Sequence, residues 1–463
     1  MQIGKYILIM VIAGWIGQTA VWGQDIRHEF VPLDTTSGFF EGGHFHFHAR
    51  TYVMGTVNEG AISDFGAWAA GAGLGYVSPE WKGLSFGFSG FFIFQLWDHH
   101  LDYTDPISGG GNRYEKALFD LEDPENRTDL DRLEELFIRY RRNKWDIIAG
   151  RQDIETPFLN SQDNRMRPNI FSGLWTEWND EAFRLEAGWL YSVTPRGTVN
   201  WYSIESSLGL YSFGQNVDGN ASRYKGNTKS KGIFILGGEW ETSRWEMQSY
   251  HYYAENLFHL SYADALYNHP LPKTATVFLG VQGFFQQQVQ EGGNPDPSMA
   301  YIQDGEQTWS VGTTIGLETD HNHWSYNTLY IAETGRFLFP REWGRERFWA
   351  TLPRERFEGS GNVFAQSIKW EGTFLEDKIR PMLGAGYVIL PDPQEASLNK
   401  YAMPSYYHWA GRLDYDFSFP FDGFTLAGLV LYKGDTASEP LDPKLSINRV
   451  DMWHFSVIAD YRF

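Results

Sequence analysis

Alternation with a period of two runs through most of this chain. In "GLSFGFSGFFIFQLW", Leu84, Phe86, Phe88, Phe92, Phe94 and Leu96 fall on one face, and Ser85, Ser89 and Gln95 on the other. In "EAFRLEAGWLY", Phe183, Leu185, Ala187, Trp189 and Tyr191 oppose Arg184 and Glu186. Further on, Tyr407, Trp409, Leu413, Tyr415, Phe417 and Phe419 oppose His408, Arg412, Asp414 and Asp416. Side chains two apart share a face only on an extended strand, so these segments predict β-strands with one apolar and one charged face. A soluble sandwich would bury the apolar face and solvate the other. A membrane barrel does the reverse, apolar toward lipid and polar toward a wet lumen. Aromatic residues at strand ends, such as Trp81 and Trp97 around one strand and Trp189 and Tyr191 at the end of another, match the girdles of a barrel.

The segment that ends on Phe463 carries the same signature. Trp453, Phe455, Val457, Ala459 and Tyr461 share an outward face; His454, Ser456, Asp460 and Arg462 share the inward one. A final amphipathic strand ending in Phe resembles the assembly signal of outer-membrane barrels, so the assembly machinery is an expected partner through Phe463. At the other end, Lys5 precedes the short apolar run "YILIMVIAGWIG" and the small residues of "AVWGQ". This reads as a signal peptide over residues 1–23, cleaved after Gly23 or alternatively after Ala20, with the barrel domain spanning 24–463. At ~9–11 residues per spanning strand plus connections, about 24 in all, the ~440 mature residues predict about 18 strands.

Composition agrees. Aromatic residues make up 17% of the 463 positions, with 34 Phe, 25 Tyr and 19 Trp, yet mean hydropathy is negative at -0.40. Alternating strands produce that combination; bilayer-spanning helices do not. Cysteine is absent, which excludes disulfides, thiolate metal sites and a cysteine nucleophile. The formal charge of -20 argues against a nucleic-acid partner, because no net basic field exists to neutralise phosphates. The connections are unequal, and three long polar ones read as external loops. The first, Asp98 to Arg132, holds ten Asp/Glu against four Lys/Arg, with a short helix predicted near Tyr114 to Leu121. The others are "FGQNVDGNASRYKGNTKSKG" and "QEGGNPDPSMAYIQDGEQ".

Candidate chemistry sits in three places. "GGHFHFHAR" puts His44, His46, His48 and Arg50 on one strand face. Imidazoles two apart are spaced ~6.5–7 Å, too far for three to grip one zinc at ~2.0–2.1 Å without a bend, so a lumenal wall is expected and no metal or other cofactor. Acidification should add positive charge to that wall. The other two places break the alternation: "GRQDIETPFLNSQDNRMRPNIFSGLW", and "GRFLFPREWGRERFWATLPRERFEGSGN". From Arg336 to Arg356 the latter holds six arginines against Glu342, Glu346 and Glu355, a basic concentration in an acidic chain.

At these residues the chain resembles the OprD family of outer-membrane porins. "EWGRERFWATLPRERFEGSGN" is similar to that family's Gly-Arg-Glu, aromatic and Pro-Arg-Glu-Arg segment. "TPFLNSQDNRMRPNIFSG" is similar to its constriction loop, in which an Asp and an Asn precede an Arg-x-x-Pro turn, here Arg165 to Pro168. The resemblance implies an all-β, single-chain, antiparallel barrel of 18 strands in the outer membrane, with loops folded inward to a constriction. It also implies passive diffusion of small carboxylate-bearing solutes along lumenal arginines. The expected path residues are Asp163, Asn164, Arg165, Arg167, Arg341, Arg345, Arg347, Arg354, Glu355 and Arg356, with Asp163 an acidic counterpart across the pore. Arginine keeps its proton and offers a planar fork matched to a carboxylate, so a row of them gives successive weak sites. The competing role for each arginine is pairing with neighbours such as Glu346 and Glu355 to hold a loop. Outer-membrane lipid and small solutes are the expected partners, as a monomer or loose homotrimer. An export channel for a polysaccharide is the alternative, and a barrel hydrolase a further one. No Ser–His motif supports catalysis, so no enzyme activity is expected.

Overall fold

The structure, a computed structural model, describes residues 42–211, 214–272 and 274–463. The predicted signal peptide lies outside them. Within them the chain forms one continuous antiparallel sheet. Its wall strands are β1 (His44–Asn58), β2 (Phe65–Val77), β3 (Leu84–His99), β4 (Arg132–Arg142), β5 (Trp145–Gln152) and β6 (Ile170–Asn179). Then come β7 (Phe183–Thr194), β8 (Ile233–Glu241), β9 (Trp245–Ala254), β10 (Phe258–Leu271), β11 (Ala275–Gln288) and β12 (Gln307–Glu318). The wall finishes with β13 (Asn322–Ile331), β14 (Val363–Gly372), β15 (Ile379–Ile389), β16 (Tyr406–Asp416), β17 (Phe424–Asp435) and β18 (Met452–Arg462). A further two-residue strand, Tyr202–Ser203, pairs with β7 beside the wall.

Each strand pairs with its sequence neighbours, and β1 pairs with β18 as well as β2, so the sheet closes with no edge. The seam extends past the last strand, where Phe47 N–H donates to Phe463 O at 2.7 Å and Phe463 N–H to Phe47 O at 3.1 Å. Eighteen strands put both ends of the described wall at the same rim. That rim carries only short connections among the described residues, such as 143–144 and 180–182, and the opposite rim carries the long ones, including 100–131, 195–232 and 332–362. Short turns mark the periplasmic side and long loops the external side.

The face assignments follow the alternation. Phe86, Phe92, Phe94, Leu185, Tyr191, Trp409, Leu413, Phe455 and Val457 are exposed to the surroundings of the barrel. His408, His454, Ser456 and Asp460 are buried in the interior. Register at the seam sets Arg50 directly opposite Asp460 and His48 opposite Arg462. The predicted helix near Tyr114 is a single 3-10 turn, Glu115–Leu118.

One feature departs from a uniformly polar lumen. The inward faces of β9 to β11 carry Tyr250, Tyr252, Leu260, Tyr262 and Phe284, all buried. Two external loops fold onto them. Phe158 of the loop 153–169 packs against Tyr252, Tyr262 and Phe284 of the wall and Phe337, Phe339 and Phe348 of the loop 332–362, with ring centroids 5.3–6.1 Å apart. Trp343 is fully buried in the same cluster and donates through Nε1 to Ser207 Oγ at 2.9 Å. Burying each such ring contributes about 1.5–3 kcal/mol, more than the ~1–2 kcal/mol of backbone entropy lost by its own residue. This apolar seat on β9 to β11 helps to hold two long loops folded inward.

Candidate functional site

The loop 153–169 descends along the lumen and ends against the closing seam. Asp163 accepts from Arg50 Nη1 at 2.5 Å and Nη2 at 3.0 Å, and from Arg462 Nη2 at 3.0 Å. Asp460 takes the remaining side of both arginines, from Arg50 Nε at 2.5 Å and Arg462 Nε at 2.9 Å, and meets His48 Nε2 at 3.1 Å. Burial alone would push the Asp163 carboxyl up; the charge and hydrogen bonds of Arg50, then Arg462, hold it well below the usual carboxylate range. Asp163 is therefore a latch between the loop and strands β1 and β18.

The second loop, 332–362, lies against the first. Asn160 bridges them, donating from Nδ2 to Arg345 O at 2.9 Å and accepting from Arg345 N–H at 3.1 Å. Gly344 permits the approach: its φ is +153°, and an added Cβ would stand 2.3 Å from Phe158 O and 2.7 Å from Asn160 N. Two non-glycine residues at this junction, Gln162 and Arg354, hold left-handed backbones at φ 46° and 61°. Such conformations cost ~1–3 kcal/mol and collect at functional sites.

Two chambers meet here. The inner one, about 1400 Å³ of space continuous with solvent, reaches Arg412, Asp414 and Thr425 near the periplasmic rim. The outer one, about 1040 Å³, is walled by Arg113, Arg196, Tyr401 and Lys433 at the external side. Gln162, Asn164, Arg165, Arg345 and Arg354 line both, where the two chambers adjoin.

The six arginines of the second loop divide evenly. Arg336 pairs with Glu306 at 2.9 Å, Arg341 with Glu358 at 2.7 Å, and Arg347 with Glu155. Arg345, Arg354 and Arg356 have no carboxylate within ion-pair distance among the described residues. Arg345 Nη2 donates to Leu352 O at 2.8 Å, and Arg354 Nη2 to Tyr52 Oη at 2.6 Å. Arg356 Nη2 donates to Gln162 Oε1 at 2.6 Å and Gly344 O at 2.7 Å. The neighbouring glutamates are otherwise engaged. Glu346 accepts from Phe357 N–H at 2.6 Å, and Glu355 accepts from Tyr406 Oη at 2.9 Å beside His408 at 3.2 Å. Burial opposes the Glu355 charge, but the His408 hydrogen bond and charge hold its carboxyl at about 2.

Arg165 is buried and unpaired in the same sense, and burial, reinforced by Arg354 and Arg196, pushes its guanidinium well below the ordinary value. Burial lowers Arg345 too. Burial, with Arg196, Arg341 and Arg345 adding to it against the pull of Glu346, brings Arg356 down to about 10. Guanidinium keeps its proton at neutral pH, so these groups stay cationic although burial disfavours their charge.

The remaining expected residues sit elsewhere. Arg167 is fully buried and donates to Leu130 O at 2.9 Å and Thr198 O at 3.0 Å, tying two external loops together away from both chambers. Arg50 lines the inner chamber, whereas His44, His46 and His48 of the same face do not. No cluster of three or more His, Asp or Glu among the described residues is arranged to hold a metal ion. Arg196, Arg113, Lys369, Lys433, Gln162 and Tyr52 line the chambers without having been singled out from sequence. Strand parity would have found Lys369 and Lys433, which face inward on β14 and β17. Arg196, alone in a loop, gives no such signal.

Comparison with known proteins agrees with this architecture. The family profile described as "outer membrane porin, OprD family" matches residues 37–329, which includes the first inward loop and stops short of the second. No curated protein sequence matches the chain. Among solved structures, Pseudomonas aeruginosa OpdK with vanillate is 14% identical, with TM-score 0.69 over 92% of this chain and 100% of that one. Acinetobacter baumannii OccAB2 is 14% identical, with TM-score 0.70 over 92% of this chain and 99% of that one. P. aeruginosa OccK9 (OpdG) is 14% identical, with TM-score 0.69 and the same coverage as OpdK. At that identity the structures speak to the fold, and the profile match speaks to the family. The chain belongs to the OprD family of outer-membrane porins, channels integral to the outer membrane that pass small solutes.

Proposed function

We propose that this porin gives passive, partly selective diffusion to small carboxylate-bearing solutes, which pass a waist lined by Arg165, Arg345 and Arg354. The observation that carries the reading is guanidinium groups without a carboxylate partner among the described residues, Arg165 buried and Arg345 and Arg354 half-buried, at the junction of two chambers. A carboxylate entering there meets planar donor forks and a low-dielectric wall, where charge-assisted hydrogen bonds are strongest. Arg356 and Arg341 precede the waist on the external side, and Arg347 and Arg50 follow on the periplasmic side, so an anion has successive sites to step between. The paired members of that row, Arg341, Arg347 and Arg50, offer weaker holds, as release requires. Asp163, Asn164 and Glu355 shape the wall, and Arg167 supports it from behind. OpdK, whose crystal structure holds vanillate, a carboxylate, supports the reading by likeness. The same waist argues against the alternative of polymer export, which needs a wide path free of inward loops. The reading includes no catalytic step. It also takes residues 1–23 as a cleaved signal, 24–463 as the barrel domain, and the β18 terminus at Phe463 as the handle for barrel assembly.

In planar bilayers under a potassium chloride gradient, Arg345→Gln and Arg354→Gln should each move the reversal potential toward cation preference. Unchanged reversal potentials in both variants would overturn the assignment of the waist.

A further inference from the structure

Three arginines converge on one uncharged residue, Asn164, through its backbone carbonyl and its side-chain amide. Arg165 Nη1 donates to Asn164 O at 2.8 Å and lies 3.4 Å from Asn164 Oδ1. Arg354 Nη1 reaches Asn164 O at 3.5 Å. Arg196 Nη1 donates to Asn164 Oδ1 and stacks its guanidinium 5.9 Å from the Tyr211 ring. None of the three has a carboxylate within ion-pair distance among the described residues. Each keeps a buried Nε with no hydrogen-bond partner. One residue earlier the same loop places a carboxylate against two arginines, Asp163 against Arg50 and Arg462, so a balancing charge fits this backbone sterically. At position 164 the protein presents an amide instead.

We propose that the Asn164 cluster is a two-charge anion site that favours small dicarboxylates over monocarboxylates, with Asn164 and Arg196 as its specificity-determining residues. The inference rests on the carboxylate-channel reading above and narrows its substrate class. One carboxylate bridging Arg165 and Arg354 at the waist leaves Arg196 uncompensated in the outer chamber, with Arg356 beside it. A second carboxylate on the same small body meets that surplus. Like charges gathered in a buried site repel one another, and each added anion relieves more of that repulsion than it would beside a solvated pair. Asn164 holds the three forks through its backbone carbonyl and neutral amide without supplying charge, so the counter-charge has to arrive with the solute. Dispersed attraction by a basic pore would also favour a dianion, but salt screens it: at 1 M the Debye length is about 3 Å.

The test is the interruption of single-channel current, with succinate, butyrate or butyramide added on the external side in 1 M potassium chloride. Succinate should reside at least tenfold longer than butyrate, and butyrate longer than butyramide. Asn164→Asp, which supplies the missing charge from the protein, should shorten succinate residence at least tenfold and butyrate residence less. Arg196→Gln should bring succinate down to the butyrate level, and covers the case in which the first variant does not fold. Succinate residing no longer than butyrate, or a succinate-to-butyrate ratio unchanged in Arg196→Gln, overturns the two-charge site and leaves the carboxylate channel standing. Equal behaviour of all three solutes overturns both.

Discussion

Removing the charge of Asp163 should release the loop 153–169 from the closing seam. Asp163→Asn deletes the carboxylate that takes three hydrogen bonds from Arg50 and Arg462, at 2.5, 3.0 and 3.0 Å, with the Asp163 and Arg50 side chains each 4% exposed. Breaking a buried pair by removing one partner costs about 3–5 kcal/mol, because the other charge stays buried. Here Asp460 still holds both arginines, so the lower end, ~3 kcal/mol, is appropriate. At about 1.4 kcal/mol per tenfold, the undocked loop becomes roughly a hundredfold more populated. Single-channel recording should show this as new flickering between conductance levels, and limited proteolysis as cutting within 153–169 of an intact barrel. The pH dependence follows from the depressed carboxyl. Its contribution is fully present above the ordinary Asp value of ~4 and is lost only as pH falls through the lower value of the folded protein. Wild-type gating should therefore be flat from pH 8 to 5. A variant with quiet current and an unchanged cleavage pattern would refute the latch.

Two further perturbations test the loop assembly. Glu358→Gln leaves Lys400, buried, and Arg341, half-buried, without their shared carboxylate, at 3.4 and 2.7 Å, and should cost about 3 kcal/mol; protease should then nick 332–362 and 390–405 while the barrel stays resistant to detergent, and an unaltered digest would count against it. Glu355, held at about 2 from an ordinary 4.5, contributes on the order of 3 kcal/mol that is present above pH ~4.5 and lost as pH falls toward 2. Tryptophan fluorescence of the loop region should hold steady down to pH ~4.5 and shift below it; a transition near pH 6 would place the responsible group elsewhere.

The barrel was legible because its rule is local. A period of two with charge on one face marks each strand separately, and closure follows once every edge needs a partner. The apolar seat for the loops was not legible, because Tyr252, Tyr262 and Phe284 alternate in the same way as lipid-facing residues, and only the folded loop reveals which face they serve. The arginine cluster was visible as composition, but its division into paired and unpaired members was not. Glu346 and Glu355 adjoin the arginines in sequence and yet bond to backbone amides, a tyrosine and a histidine. Asp163 stood out as an acid near the path, whereas its role depends on Arg50 and Arg462, at opposite ends of the chain. Arg196 carries no local mark and becomes notable only through Asn164.

The most direct measurement of the account compares benzoate with benzamide as blockers of single-channel current, in wild type and in the Arg165→Gln, Arg354→Gln double variant. The two solutes share a ring and differ in the charge that the waist is proposed to read. Benzoate should give resolvable interruptions in wild type and benzamide none, and the benzoate interruptions should be lost in the variant. Equal interruption by both solutes, or benzoate interruptions that survive the double substitution, would contradict it.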